Sequence, residues 1–518
     1  YADLQRSIPS VVDGLKPSQR KVLFGCFKKN LSKSEAKVVQ IAGYIAEHTA
    51  YHHGESSLHS TIINMAQDYV GANNVPYLQA LGQFGTRAQG GRDFASPRYI
   101  FTRLSPLARL LFPSEDDGLL DYVQEDGQRV EPRYFVPVVP TLLLNGTHGI
   151  GTGWSTYVPP FHLPHVVEAV ERRIRGTGEL DLEGGLHPYV VGFQGTIEGV
   201  GDTGMGADTG TGMGGQAEQY RTTGVIRRLS HTQVEISELP YGVWTEDYKK
   251  VLFTLMEGGQ IRDFREHHST DRVRFEVTGV RGQLDLLEKK GLETSFRLVS
   301  NINLTNMHAF DAGGKICKYT SAGEVLEAHY GVRGGLYGVR KGAVERRYRA
   351  EEMRSRNRAR FVSMLGSGEL LLTGSGGGGM GGGMGVSEVD IERDLASRGF
   401  ATEAEIHRTM IGAGAGTGVG GEGVGGVGAG IDTGVGAGVG MGVGMGLGVG
   451  VGVGGGQFAY LLDLPILSLS EARCQRLHQA ADTAAQGLAA IATRSADDLW
   501  LADLHALREA CELLQSKK

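Results

Sequence analysis

Cysteine is scarce. The 518-residue chain has four, Cys26, Cys317, Cys474 and Cys511, far apart and without a CxxC pair. That spacing argues against a disulfide framework and against a structural zinc site, and it fits a reducing compartment. No apolar run reaches about 18 residues, so the sequence offers no membrane span, and no charged-then-apolar start marks a secretory signal. A GxxxxGK[ST] phosphate cradle is also missing. Net charge is modest: 52 Lys and Arg against 58 Asp and Glu leave −6. The total therefore does not announce a polyanion as partner, and any cationic surface has to be local. The first residue is Tyr1 rather than Met, which reads as a segment of a longer protein. The length suggests about three domains.

What the chain has in excess is glycine, 81 residues, much of it clustered in 199–217, 374–385 and 412–456. Glycine carries the largest backbone entropy cost on ordering, so these runs read as flexible insertions into surface loops. Between them the patterning is ordinary. Ser32 and Glu35 form a capping box before a helix with Val38, Ile41, Ala42 and Ile45 on one face. "AYHHGE" breaks that helix. Leu58, Ile62, Met65, Ala66 and Tyr69 then line a second one. Two short helices around a Gly-containing turn make a helix-turn-helix candidate.

Residues 186–310 alternate short β-branched runs with turn residues and a helical piece at 245–257, as expected of an α+β domain with an antiparallel sheet. Beyond them the sequence is helical. An Arg-rich segment covers 340–365. Ser468 and Glu471 cap a helix in which Leu477, Ala481, Ala484, Leu488 and Ile491 follow in coiled-coil steps. A last helix after "SADD" carries Leu504, Leu507, Cys511 and Leu514. Facing seams separated by a long insertion predict an antiparallel arm. "YGVRGGLYGVRKG", 330–342, interrupts the pattern: each glycine costs a helix interior roughly 1 kcal/mol relative to alanine. The arm is expected to start after this stretch or to be less stiff there.

The first 100 residues concentrate cations: Arg6, Lys16, Arg20, Lys21, Lys28, Lys29, Lys37, Arg87, Arg92 and Arg98, with His52 and His53. A cationic face beside a helix-turn-helix is the footprint of a phosphate backbone. The glycines of 82–91 would let backbone approach a ligand. Arg98 precedes Tyr99 in an apolar stretch, "FASPRYIFTRLSPLARLLF", where packing alone would account for a tyrosine.

Six blocks, "RSIPSVVDGLKPSQRKVLF", "YHHGE", "GQFGTR", "SPRYIFT", "NGTHGIGTGW" and "DFREHH", in this order, closely resemble eukaryotic DNA topoisomerase II, a type IIA enzyme. The resemblance implies an α+β multidomain fold. Residues 1–139 would be a winged-helix DNA-gate domain and 140–310 a mixed α/β tower domain. Residues 311–518 would be a long antiparallel coiled-coil arm ending in a helical exit gate. It implies an ATP-dependent isomerase that breaks both DNA strands, passes a second duplex and reseals. Tyr99 would be the nucleophile that forms a 5′-phosphotyrosyl bond. A free tyrosine ionises near pH 10, so the phenol needs help. Arg98 would stabilise the transition-state phosphate and His53 would transfer a proton or donate a hydrogen bond. Arg6, Lys16, Arg20, Lys37 and Arg87 would hold DNA, and Ile150 would wedge between base pairs. Asp13 would order the neighbouring cations. His267 and His268 carry no assigned chemistry. The resemblance also implies Mg²⁺, held mainly by an acidic domain that precedes this region in the family, and ATP on a separate domain. A homodimer, double-stranded DNA as partner, no membrane, and a nuclear location follow from it. Two other readings share part of the pattern: a bacterial-type gyrase A-like protein, and a catalytically silent architectural DNA-binding protein.

Overall fold

The computed structural model describes residues 2–125, 127–176, 186–200, 219–269, 272–370, 388–412, 456–464 and 471–515. The bulk of the three glycine-rich runs, and Ser468 of the expected cap, lie outside the described residues. The chain divides into two compact units, Tyr1–Gly334 with Leu501–Lys518, and Gly335–Trp500. The segments expected as winged-helix and tower domains fall in the first unit.

In the first unit, helices Pro17–Lys28, Val38–His48 and Glu55–Ala66 pack on one another. Each turns an apolar stripe inward: Val22, Leu23 and Cys26; Ile41, Ala42 and Ile45; Leu58, Ile62 and Met65 are all buried. Each fully buried Leu or Ile contributes roughly 1.5–3 kcal/mol relative to exposure. The capping box at Ser32 and Glu35 does not open the second helix. That helix starts at Val38, because Ala36–Lys37 is extended and pairs antiparallel with Phe101–Thr102. A tertiary strand pairing overrides a local capping signal. The hairpin Tyr122–Glu125 with Gln128–Pro132 forms the wing.

Farther along, all sheet pairings among the described residues are antiparallel. A four-stranded sheet runs in the order Ile261–Glu266, Phe275–Gly279, Gln233–Glu238, Val225–Arg228. Helix Thr245–Glu257, expected at those positions, covers it with Tyr248, Leu252 and Leu255. A three-stranded sheet joins Val299–Asn303, Gln219–Thr223 and Thr196–Gly199.

Of the two expectations for the arm, a start after the glycine stretch is corrected. One uninterrupted 46-residue helix, Ala322–Ser367, runs straight through the glycines of 330–342. Among the described residues, nothing lies within 4 Å of where a side chain at Gly331, Gly335 or Gly338 would begin. The helix therefore tolerates these glycines at a propensity cost rather than breaking at them. In the second unit, Glu471–Thr493 buries Ala481, Ala484 and Ile491 of the expected seam. Helix Ala496–Gln515 opens with a reciprocal cap: Ser495 N donates to Asp498 (2.8 Å) and Asp498 N to the Ser495 hydroxyl (3.0 Å).

Candidate functional site

The expected site residues fall into three groups within the first unit. The first surrounds Tyr99. The backbone turns at Ser96–Tyr99, where Tyr99 N donates to Ser96 O (2.9 Å). The carbonyls on either side of the Arg98–Tyr99 pair accept from the start of helix Val38–His48: Val39 N to Pro97 O at 3.2 Å and Val38 N to Ile100 O at 3.1 Å. Those are first-turn amides with no partner inside their own helix. Ile100 is buried beneath, and Phe101 pairs with Lys37. The turn is thus tied at both ends while its two central side chains face outward. Tyr99 is 76% exposed and Arg98 is exposed. Among the described residues, a large aromatic side chain left this open on an anchored turn has no packing role. Lys37, half-buried, lays its ammonium 5.8 Å from the Phe101 ring.

The second group surrounds Ile150. Strands Thr147–Gly151 and Trp154–Val158 form a hairpin, with Ile150 opposite Ser155. Side chains alternate between the faces of a strand, and the two neighbours of Ile150 are glycines. Helix Ala2–Ser7 closes on their face. A Cβ at Gly149 would sit 2.0 Å from Ser7 O, and one at Gly151 would sit 3.0 Å from Leu4. This close approach requires glycine at 149 and turns Ile150 the other way, 72% exposed. Asp3 accepts from Thr152 N (2.8 Å) and the Thr152 hydroxyl (2.9 Å). Those two bonds hold its carboxyl below the usual carboxylate range. Lys16 donates to His148 O (2.8 Å), and burial lowers its ammonium pKa. An ammonium carries three donors, so this bond leaves Lys16 further capacity. Arg6, on helix Ala2–Ser7, is exposed. Trp154, 43% exposed on this hairpin, its ring edge-on to His308 at 5.3 Å, adds apolar surface that the sequence patterning did not single out.

The third group is the turn carrying His53. His53 is exposed, its ring edge-on to Tyr51 at 5.4 Å. Beside it, Lys21 donates to Thr49 O (2.6 Å) and to Glu131 of the wing (2.9 Å), and His52 lies 3.4 Å from Glu125. The wing thereby fixes the turn between the two helices.

Two expected DNA contacts are placed differently. Arg20 is buried in a bidentate pair with Asp13, at 2.7 and 3.0 Å, and also donates to Leu15 O. Asp13 does order a cation, and it also accepts from Phe135 N (2.9 Å). Arg87 is buried against Glu238, at the irregular end of strand Gln233–Glu238. A register shift there re-aims the carboxylate. Buried charges need partners, and both arginines meet theirs inside the protein instead of on a DNA-facing surface. Asp13, seven positions from Arg20, was expected to order its neighbouring cations, whereas the partner of Arg87 could not be read from spacing, since Glu238 lies 151 positions away. The loop glycines 82–91 likewise serve internal packing: Gln67 donates to Phe84 O and Gly91 O at 2.8 and 2.9 Å. Asp3 and Thr152, 149 positions apart, left no sequence signal either.

Among the described residues no group of three or more His, Cys, Asp and Glu could hold a metal ion. No helix among them is long and apolar enough to cross a membrane.

A family model for the A-type chain of DNA gyrase/topoisomerase IV matches residues 6–505. DNA topoisomerase 2 of Arabidopsis thaliana is 42% identical over 402 residues, 77% of this chain and 26% of that protein. DNA topoisomerase 2-alpha of Rattus norvegicus is 37% identical over 523 residues, 100% of this chain and 31% of that protein. Among solved structures, the Plasmodium falciparum topoisomerase II DNA-binding, cleavage and re-ligation domain superposes with a TM-score of 0.80 at 32% identity, covering 99% of this chain and 63% of that one. The chain thus spans less than a third of the length of these two curated relatives. With a match over nearly its whole length, the chain belongs to the DNA gyrase/topoisomerase IV family of A-type chains.

Proposed function

We propose that this chain is the breakage-reunion core of an ATP-dependent type II DNA topoisomerase of the eukaryotic kind, acting as a homodimer in the nucleus. The observation that carries the reading is the Arg98–Tyr99 pair, exposed on a turn whose flanking carbonyls are anchored to a helix start. Winged-helix, tower and arm segments at 1–139, 140–310 and 311–518 supply the platform.

The Tyr99 phenol oxygen attacks a backbone phosphorus. The P–O3′ bond breaks as the P–O(Tyr) bond forms, leaving a 5′-phosphotyrosyl end and a 3′ hydroxyl. One phosphoester replaces another, so the reverse attack by the 3′ oxygen reseals the strand without an added energy source. The phenol proton leaves as the bond forms, and the departing 3′ oxygen gains one. His53, on its fixed turn, serves that transfer. Arg98 offers planar, permanently charged donors to the non-bridging oxygens as charge builds on phosphorus. Arg6, Lys16 and Lys37 steady the backbone. Ile150 enters the base stack, and the kink favours sites whose steps deform cheaply. Each protomer cuts one strand, and the staggered pair of cuts opens the duplex.

The family resemblance attaches Mg²⁺ and ATP to this activity. Mg²⁺ when bound would offset phosphate charge; the resemblance puts its ligands mainly on an acidic domain that precedes this region in the family, and the steps above rest on this chain's side chains alone.

Trapping with denaturant tests the reading. The full-length protein, given Mg²⁺ and duplex DNA, is expected to form a covalent adduct, and Tyr99→Phe to form none. An adduct in both moves the nucleophile elsewhere. An adduct in neither favours the architectural reading.

A further inference from the structure

Ile150 is held on both sides at the same interval. Two residues before it, His148 O accepts from the Lys16 ammonium at 2.8 Å. Two residues after it, Thr152 gives both its amide and its hydroxyl to Asp3, at 2.8 and 2.9 Å. Between those points, Gly149 and Gly151 rest on Ser7 and Leu4. These holding groups come from residues 3–16, far from the hairpin in sequence and seated behind it; the partner strand is held separately, by Asn306, which donates to the Ser155 hydroxyl (3.0 Å), and by His308 O, which accepts from the Thr156 hydroxyl (2.7 Å).

An isolated two-stranded hairpin is marginally stable in water. One that must part a base-pair step meets resistance of a few kcal/mol, enough to tilt a loosely held strand. Hydrogen bonds to charged groups are among the stronger ones available for resisting that tilt. Asp3 is well placed for it: both carboxylate contacts land on the residue that begins the hairpin turn, the part farthest from the strand ends, where Val158 is buried.

We propose that Asp3 is a positioning residue for the wedge. By fixing Thr152 it pins the turn of the hairpin onto helix Ala2–Ser7 and sets the direction in which Ile150 leaves the surface. The inference rests on reading Ile150 as the residue that enters DNA. Asp3 touches no DNA in this scheme and acts only through the hairpin.

The test uses the full-length protein and a duplex carrying 2-aminopurine at the kinked step, with donor and acceptor dyes at its ends. Base fluorescence reports unstacking and energy transfer reports the bend. Asp3→Ala is expected to lower the bent-to-straight ratio about three- to tenfold, with an unchanged thermal unfolding midpoint. Asp3→Asn, which keeps one oxygen acceptor, is expected to recover part of the loss. Ile150→Ala is expected to abolish the unstacking signal, and adding Asp3→Ala to it to change nothing more. Loss of signal with Ile150→Ala but none with Asp3→Ala overturns the positioning role alone. A full signal with Ile150→Ala overturns the wedge reading itself, whatever Asp3→Ala does. An Asp3→Ala defect that persists undiminished on top of Ile150→Ala also overturns the positioning role, since Asp3 would then act independently of the wedge.

Discussion

Two stretches of this chain look alike on paper. "GQFGTRAQGGRD", 82–93, and "YGVRGGLYGVRKG", 330–342, are both crowded with glycine and dotted with arginine. In the first, Gly82, Gly85, Gly90 and Gly91 all take positive φ, from +62° to +119°, and the loop folds tightly enough that a Cβ at Gly85 would lie 2.5 Å from Gly91 O. In the second, the same residue type sits in one continuous helix with open space around Gly331, Gly335 and Gly338. The lesson is that glycine content alone carries no structural sign. It marks necessity where backbone meets backbone and mere tolerance where nothing is near.

The arginines do not follow the glycines: each stretch buries one, Arg87 against Glu238 and Arg333 against Asp116, and the largest expected effect is theirs. Arg87 lies in the first stretch, buried against Glu238, which also accepts from Leu239 N (2.8 Å) and Gln194 N (3.1 Å). Removing one partner of a buried pair costs about 3–5 kcal/mol, because the other charge stays buried alone. Arg87→Ala is therefore expected to lower the urea unfolding midpoint sharply. Replacing both, Arg87→Met with Glu238→Gln, which removes both charges and keeps an oxygen acceptor for the amides, is expected to recover part of that loss. If Arg87→Ala instead leaves stability intact and weakens DNA binding alone, Arg87 belongs with the DNA contacts and the first stretch is a ligand loop after all.

Next comes acid. His329 lies in the helix turn just before the second stretch, fully buried, with Nε2 donating to Pro137 O at 2.9 Å. Burial, with Arg333 adding to it, pushes its pKa down to about 3. An unfolded histidine titrates near 6.5. Below that pH the unfolded chain gains a proton that the folded one refuses, so stability present at neutral pH falls as pH drops from about 6.5 toward 3, by on the order of a few kcal/mol. Comparing urea midpoints of the parent and His329→Gln at pH 7, 5 and 4 isolates this contribution. A parent and variant that fall in parallel would show that His329 is not protected from protonation.

Local pattern revealed whatever depends on local pattern. The stripe Val38, Ile41, Ala42, Ile45 is buried as its spacing says, helix Thr245–Glu257 sits where expected, and Ala481 and Ala484 face inward. Apart from the helix glycines, whose propensity cost was too small to break the helix, the misplacements share one cause: a distant partner that spacing does not reveal. Phe101–Thr102 draws Ala36–Lys37 into a strand and delays the helix. Glu238 takes Arg87 out of the candidate interface. Ser7 explains Gly149, and Asp3 explains Thr152, each across more than a hundred residues. The candidate nucleophile was legible for a different reason. Its immediate sequence argued for packing, and only six ordered blocks along the chain raised it. Its exposure then separates it from the many tyrosines that do pack, such as Tyr220 and Tyr248.

The smallest expected effect tests the comparison most directly. If the helix glycines are merely tolerated, giving each a methyl group should help. The methyl meets no neighbour, and alanine in place of glycine in a helix interior is worth roughly 0.5–1 kcal/mol. Gly331→Ala, Gly335→Ala and Gly338→Ala together are expected to raise the unfolding midpoint and slow amide exchange along this part of the helix. Gly85→Ala, with the same added methyl, is expected to do the reverse. Should the triple variant unfold more easily, the open space around those positions must be filled in the assembled protein. The second stretch would then join the first as a place where glycine is required, and strand passage measured beside DNA cleavage would show whether that requirement serves the arm's motion or its packing.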